Sequence, residues 1–262
     1  MNGIWIWDLA RQTLTRVTSD PEVDGSPVWA PDGSRIAFSA QHGQAANIYW
    51  QAADGSGPRE QLTKTNSEGF LPTSFSPGGK QLVFNTWSSP TDIFMLTIDG
   101  DHQIKTLLQT PFDELNGEIS PDGRWLAYSS TDDGIPEVYV RPFPNVTAAR
   151  WQVSAKGGTR PLWARNGREL FYMGAGTGTV SVVPIEPGPT FKAGPPQILF
   201  EGAYLFGSPN GLRTYDVSPD GKRFLMIKSP VDSQDSAPMS LIVVQNWFDE
   251  LKRLVRGNQN PR

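Results

Sequence analysis

The sequence predicts an all-β fold built from repeated four-stranded units, and three observations support this prediction. A short turn motif recurs five times in the 262 residues, with its last glycines 46, 44, 44 and 54 residues apart. Short apolar runs typical of strands flank each turn. Two further strand-like runs separate most copies from the next. A period of about 40–50 residues with this content is typical of a β-propeller, in which each unit is one four-stranded antiparallel blade.

The recurrent turn has the chemistry of a tight β-hairpin. Proline presets φ at the first central position, Asp or Asn suits the second, and glycine takes the positive φ that closes the loop. The fourth copy has Arg and Asn in place of Pro and Asp but keeps the glycine. The five copies are Trp29-Ala30-Pro31-Asp32-Gly33, Phe75-Ser76-Pro77-Gly78-Gly79, Ile119-Ser120-Pro121-Asp122-Gly123, Trp163-Ala164-Arg165-Asn166-Gly167 and Val217-Ser218-Pro219-Asp220-Gly221.

The strands predicted around these turns repeat in the same order. The innermost strand precedes the turn, and the second strand follows it at 36–38, 82–84, 126–128, 170–172 and 224–226. Third strands are predicted at 48–50, 93–95, 138–140, 180–182 and 241–244, and fourth strands at 60–63, 104–107, 151–154 and 197–200. One blade cannot bury both of its faces alone, so neighbouring blades are expected to pack face to face and share the core.

The predicted propeller extends over 1–246 and contains about five blades. We predict a partial blade at 1–20, blades at 21–65, 66–110, 111–156 and 157–202, and a partial last blade at 203–246. The two ends do not complete one blade together. Residues 4–9 match the third strand of a blade, and the last unit already has strands one to three. The expected architecture is the C-terminal part of a six-bladed ring that lacks its first strands. A five-bladed ring with an extra edge strand is the alternative.

The C-terminal residues 247–262 are predicted to form a short helix and a tail. Apolar residues at 247, 248, 251, 254 and 255 lie on one helical face. Acidic residues precede basic ones along this stretch, which is the order that the helix dipole favours. We expect this helix to pack on the last blade.

Composition excludes several classes of function. The net charge is −4 with both signs interspersed, so no nucleic-acid-binding surface is predicted. The chain has no cysteine, and therefore no disulfide framework or thiolate chemistry. No apolar run approaches about 18 residues, so no direct membrane insertion is expected. No signal peptide is visible, and the absence of cysteine is compatible with a periplasmic and a cytoplasmic location alike.

Residue types suited to catalysis or metal binding are scarce. The two histidines, His42 and His102, lie in predicted hairpin loops, and no G-x-S-x-G nucleophile elbow occurs. The glycine-rich run at 174–178 is interpreted as a hairpin, because neither the third glycine nor the helix of a dinucleotide-binding loop follows it. Acidic runs at 99–101 and 132–134 are interpreted as turns, because they lack the spacing of a calcium loop. We therefore predict no catalytic residue, no metal ligand and no cofactor.

The mouth of the central channel is the best candidate for a binding site. Residues of the innermost strands begin near the axis, at Ser26, Pro72, Asn116, Arg160 and Thr214. Their chemistry varies from unit to unit, unlike that of core positions, and loops and rims of this kind often carry binding sites. With the acids that follow two residues later, the predicted binding residues are Asn116, Glu118, Arg160 and Asp216.

Ser-Pro-Asp-Gly followed by a basic residue and an apolar strand, as at 118–130 and 216–228, resembles the TolB-type, WD-repeat-like repeat of bacterial β-propellers. The resemblance covers about 25–245. The C-terminal half also resembles the propeller that ends many large bacterial Ser/Thr protein kinases and related winged-helix regulators; the matching stretches are 163–172, 191–196, 199–202, 215–227 and 246–252. The resemblance implies a sensor or interaction module. The kinase motifs themselves are absent from the sequence.

Three hypotheses for function follow. The first is a non-enzymatic bacterial propeller that binds a protein or peptide partner, or senses a ligand, through its faces or channel. The second is an accessory part of a larger enzyme, either a kinase C-terminal region or the gating propeller of a prolyl-oligopeptidase-type peptidase, since similar propellers precede that hydrolase domain. The third is an enzyme with channel carboxylates, for which only Glu118 and Asp216 are available. Fold alone does not choose among them, because propellers serve many functions.

Overall fold

The computed structural model describes residues 3–19, 22–205, 213–228 and 240–244, and this part of the chain is all-β. Its strands form antiparallel sheets, four of which have four strands. The prediction of a propeller with four-stranded antiparallel blades is therefore confirmed. The helix predicted within 247–262 lies outside the described residues. Among the described residues, no helix has the length and apolar character needed to cross a membrane.

The sheets follow one another along the chain, and within each one the strands run in sequence order from the innermost to the outermost. The first sheet is β1 (Trp5–Asp8) and β2 (Thr13–Arg16). Blade A is β3 (Val23–Trp29), β4 (Arg35–His42), β5 (Ala45–Ala52) and β6 (Glu60–Gln61). Blade B is β7 (Phe70–Phe75), β8 (Gln81–Thr86), β9 (Ile93–Thr97) and β10 (Ile104–Leu108). Blade C is β11 (Glu114–Ile119), β12 (Trp125–Ser130), β13 (Glu137–Pro142) and β14 (Trp151–Gln152). Blade D is β15 (Thr159–Trp163), β16 (Glu169–Met173), β17 (Thr179–Pro184) and β18 (Gln197–Glu201), and sheet E is β19 (Tyr215–Val217), β20 (Phe224–Lys228) and β21 (Ser240–Val244).

The core is divided into five apolar clusters, one at each interface between successive sheets. Strand β12 shows how this arises. Leu126 and Tyr128 pack toward blade B, whereas Trp125 and Ala127 pack toward blade D. Because alternate residues of a strand point to opposite faces, a run that is apolar at every position can fill two interfaces. This explains why the second strands read as continuous apolar runs in the sequence.

The recurrent turns have the geometry that their sequence predicts. In each copy the glycine N–H donates to the carbonyl three residues earlier, at 2.8–2.9 Å, and the glycine φ lies between 68° and 72°. The preceding Asp or Asn side chain accepts a hydrogen bond from the backbone N–H two residues further on, as in Asp122 to Arg124 at 3.1 Å. Blade B differs, because Gly78 occupies the Asp position.

Replacing Gly78 with Asp is therefore expected to stabilise the protein by about 0.5–1 kcal/mol. The new carboxylate would accept the Lys80 N–H, and the unfolded chain would lose conformational freedom. A Cβ at this position meets no atom within 4 Å. Urea denaturation of G78D and of Gly78→Ala measures the change. Equal stability of the two variants would show that the carboxylate contributes nothing.

The first sheet packs on the face of blade A that points away from blade B. Ile4 and Val17 contact Ile36 and Phe38 there. Sheet E packs on blade D through Tyr215 and its neighbours. Among the described residues, no strand pairing joins the first sheet to sheet E.

Candidate functional site: the central channel

A β-bulge interrupts the innermost strand at the same point in each of the four complete blades. The pairing with the second strand shifts between Gly25 and Val28, Pro72 and Ser74, Leu115 and Glu118, and Thr159 and Leu162. A bulge leaves one residue unpaired and redirects its side chain, and bulges are common next to functional sites. The repeat therefore places one irregular position per blade beside the propeller axis.

Three of these bulges hold a residue other than glycine in the left-handed region. Ser26, Asn116 and Arg160 have φ values of 52°, 59° and 54°. Such a conformation costs on the order of 1 kcal/mol for a residue with a Cβ, somewhat less for Asn, and it persists only where the surrounding structure imposes it. Strain of this kind is often concentrated at ligand-binding positions.

The three residues line one cavity of about 170 Å³ at the centre of the propeller, which we call the inner cavity. Glu118 lines it as well, so three of the four predicted binding residues, Asn116, Glu118 and Arg160, are brought together there. The remaining lining residues are Pro27, Val28, Leu71, Pro72, Thr73, Asn85, Pro161 and Arg213.

A larger cavity of about 660 Å³, the outer cavity, lies on the side of the recurrent turns. Innermost-strand residues of blades A to D and of sheet E all contribute to it. The predicted residue Asp216 lines this cavity, and so does Thr214. Sheet E differs from the blades because its second strand also reaches the cavity, through Leu225 and Ile227.

An ion pair crosses the channel where the two cavities meet. Arg213 Nη1 donates to Glu118 Oε2 at 2.8 Å, and these side chains are 29% and 14% exposed. Both residues line both cavities. The pair joins blade C to the segment before sheet E, which are 95 positions apart in the sequence. Arg213 was not among the predicted residues, although it directly precedes the channel position Thr214.

Burial dominates the electrostatics of this region. It raises the pKa of Glu118, and the neighbouring Arg213 guanidinium opposes that shift. Burial lowers the pKa of Arg160, and the electrostatic interaction with Tyr215 partly offsets this by raising it. Charge in such an environment is poorly screened, so interactions made inside the channel are stronger than at the surface.

Hydrogen bonds between blades hold the bulged strands in position. Thr73 Oγ1 donates to the Gly117 carbonyl at 2.7 Å, and the Trp163 indole N–H donates to the Glu118 carbonyl at 3.1 Å. The Tyr215 hydroxyl donates to the Arg160 carbonyl at 2.7 Å. Each successive pair of inner strands from blade B to sheet E is thus tied together beside the cavity.

The two histidines lie away from the channel. His42 ends β4 and lies 3.2 Å from Glu22, and His102 precedes β10 with its Nε2 3.9 Å from Glu60. Neither histidine lines either cavity. Within the described ranges there is no group of three or more His, Asp or Glu side chains that could hold a metal ion. The 174–178 run connects β16 to β17.

No family model matches the chain. Among solved structures, TolB from Acinetobacter baumannii aligns with a TM-score of 0.73 and 21% identity over 92% of this chain, which spans 56% of the length of that TolB chain. A nidogen/laminin complex aligns with a TM-score of 0.64 at 15% identity, covering 94% of this chain and 87% of that one. A puromycin-hydrolyzing peptidase of Mycobacterium tuberculosis aligns with a TM-score of 0.59 at 17% identity, covering 89% and 40%. At these identities the likeness establishes architecture, and the chain has the fold of a TolB-like β-propeller.

Proposed function

We propose that this protein is a non-enzymatic binding module whose central channel accepts a segment of a partner protein. The observation that carries the proposal is the convergence of Ser26, Asn116 and Arg160, from three different blades, on the inner cavity. Each is held in a conformation that costs energy, and a strained backbone at three equivalent points of one cavity is consistent with a ligand site.

The dimensions of the channel favour a polypeptide. Pockets for complete small ligands usually have about 300–1,000 Å³, so the inner cavity of about 170 Å³ suits one or two side chains. The outer cavity of about 660 Å³ shares Glu118 and Arg213 with the inner one, so a segment that fills both extends beyond one or two side chains. Trp29 lines the outer cavity and is 50% exposed, and aromatic residues of this kind often anchor protein partners. The complex of nidogen with laminin offers a parallel for a propeller of this architecture in a protein assembly.

The channel carboxylates support binding better than catalysis. Acid–base catalysis requires a carboxyl group that can exchange a proton with a substrate. Glu118 is held in the ion pair with Arg213, and Asp216 Oδ1 accepts the Val217 N–H at 2.8 Å. We therefore infer that neither residue serves as a catalytic acid or base.

Selection of peptides tests this proposal. A phage-displayed random peptide library is selected on the wild-type chain, and enriched peptides are measured by calorimetry against Leu71→Trp and Lys105→Trp. Leu71 lines the inner cavity, whereas Lys105 is exposed on the outermost strand of blade B. We expect the larger side chain at position 71 to weaken binding by about tenfold or more, and K105W to bind like wild type. Thermal denaturation verifies that both variants fold.

Two results would contradict the proposal. One is that selection on the wild-type chain enriches no peptide that selection on L71W does not also enrich. The other is that the peptides enriched on the wild-type chain bind L71W as tightly as wild type. Binding lost equally in K105W would indicate a site on the outer surface.

The second candidate function is an accessory propeller of a larger enzyme. It is favoured by the peptidase alignment, in which this chain matches 40% of a longer chain. Sequencing the gene upstream in the same reading frame distinguishes the candidates. A catalytic domain encoded upstream in the same frame would support the accessory role. An in-frame stop codon directly upstream, with an unrelated gene before it, would reject that role.

A further inference from the structure

The first sheet has one strand edge without a neighbour. Among the described residues, β1 pairs only with β2, whereas the third strand of each complete blade has a strand on both sides. The Val17 N–H donates to the Ile4 carbonyl at 2.9 Å, and Trp5 lies opposite Arg16 in the same ladder. Hydrogen-bonded and non-hydrogen-bonded pairs alternate along an antiparallel ladder. The backbone N–H and C=O groups of Trp5 and Trp7 therefore point away from β2, and we call them the open edge of β1.

A shared hydrogen bond identifies β1 and β2 as the third and fourth strands of a blade. In blade A, the Ile48 N–H donates to Thr63 Oγ1, just beyond the fourth strand, at 2.8 Å. Blade C has the equivalent bond at 2.7 Å. The first sheet repeats it, from the Ile4 N–H to Thr18 Oγ1 at 2.9 Å. The open edge therefore faces the position that the second strand occupies in each complete blade.

Blade A has an exposed strip beside this position. Trp29 is 50% exposed, whereas the residues at the same place in blades B, C and D, which are Phe75, Ile119 and Trp163, are buried against the preceding blade. Val28 packs toward blade B, so Trp29 points toward the first sheet, because alternate residues of a strand point to opposite faces. In the part of the chain that the structure describes, the cluster between the first sheet and blade A contains no residue of β3.

The composition of β1 favours pairing at its open edge. An unpaired strand edge can accept a further strand, and proteins usually protect such edges with short strands, lysine or proline. The outermost strands β6 and β14 have two residues each, and β10 contains Lys105. In contrast, β1 has four residues, of which Trp5 and Trp7 are 39% and 47% exposed. Leu14, opposite Trp7 on β2, is 55% exposed.

We propose that the open edge of β1 binds an extended strand of a partner protein, which adds to the first sheet at the position of a second strand. The open N–H and C=O groups recur at every second residue, a spacing that an extended strand matches and a helix does not. The added strand would place apolar side chains against Trp29 on one face and beside Trp5 and Trp7 on the other. The inference goes beyond the proposed function, because neither Trp5 nor Trp7 lines the inner or the outer cavity.

Peptides selected on a chain with a blocked channel test this proposal. A phage-displayed random library is selected on Leu71→Trp, and the enriched peptides are measured by calorimetry against further variants in that background. Trp7→Pro removes an N–H that β2 does not use, and we expect it to weaken binding by about tenfold or more. Trp7→Ala keeps this N–H and should weaken binding less. Leu14→Pro is the matched control, because the Leu14 N–H points away from β1 to the outer edge of the same sheet.

Two further measurements do not depend on how these variants fold. N-methylation of the peptide should abolish binding at alternate positions and have little effect between them, because only every second amide of an added strand faces β1. In the wild-type chain, hydrogen exchange at the amides of Trp5 and Trp7 should slow by about tenfold or more when the peptide binds. The Ile6 amide, which faces β2, should change less.

Any of three results would overturn the proposal: no peptide is enriched relative to the chain that also has W7P, W7P and L14P bind equally well, or N-methylation shows no alternation. Sedimentation of the peptide-free chain tests the other occupant. A dimer that W7P abolishes would assign the edge to a second copy of this chain instead of a partner. The proposed function stands or falls separately, because it requires peptides that lose affinity for L71W, whereas peptides bound at β1 keep theirs.

Discussion

Replacing Arg213 with alanine is expected to lower the free energy of unfolding by about 2–3 kcal/mol. Removing one partner of a buried ion pair leaves the other charge without compensation, which costs about 3–5 kcal/mol when both groups are fully buried. The side chains of Glu118 and Arg213 are 14% and 29% exposed, so the expected cost is somewhat smaller. The variant should also open the boundary between the inner and outer cavities. Denaturation by urea measures the loss of stability.

The double mutant cycle separates the ion pair from other effects of the substitution. In the background of Glu118→Gln, the further change R213A should cost clearly less than in wild type, because no buried carboxylate is left uncompensated. Arg168→Ala, which removes an exposed arginine of blade D, should change stability by no more than about 0.5 kcal/mol. An identical cost of R213A in both backgrounds would mean that the pair does not stabilise the channel.

Replacing Gly117 with alanine is expected to destabilise the protein by about 1–3 kcal/mol, the usual cost of overpacking. Gly117 lies between Asn116 and Glu118, and a Cβ there would be 2.7 Å from Val83 Cγ1. Val83 is fully buried and stiff, so the bulge itself must move. We therefore also expect weaker binding of channel ligands.

A compensating substitution tests this explanation. Val83→Ala removes the obstructing methyl groups, so G117A should cost much less in that background than in wild type. Gly78→Ala provides the matched control, because a Cβ at Gly78 meets nothing within 4 Å. The explanation fails if V83A does not reduce the cost of G117A, or if G78A is as destabilising as G117A.

Local chemistry made most of the fold predictable. Each turn can be recognised from its own residues, since all five keep the glycine that takes a positive φ and three of them also have Pro and Asp before it. Gly123 has the expected φ of 72°. Continuous apolar runs such as that of β12 follow from burial on both faces, so they could be assigned without knowledge of their neighbours. The order of the blades then follows from the repeat.

The channel was less accessible to prediction. Asn116 and Arg160 could be predicted as binding residues because their side-chain types differ from one repeat to the next. Their left-handed backbone conformation could not be predicted. Ser26 and Arg160 precede prolines, a position that normally favours extended conformations. Tertiary structure overrides this preference, because the bulge must fit between neighbouring blades.

Arg213 was missed for a different reason. Its partner Glu118 is 95 residues away in the sequence, and no local pattern couples the two. The repeat is also longest before Gly221, at 54 residues, so the position of the segment around Arg213 relative to the axis could not be read from the period.

The most direct test of the channel as the binding site is to map a bound peptide by the chemical shifts of backbone amides. Isotope-labelled protein is titrated with a peptide selected on the wild-type chain. Our account predicts the largest shifts at Ser26, Asn116, Glu118 and Arg160, with little change in the outermost strands β6, β10 and β14. Shifts confined to those outer strands, with the channel residues unchanged, would contradict it.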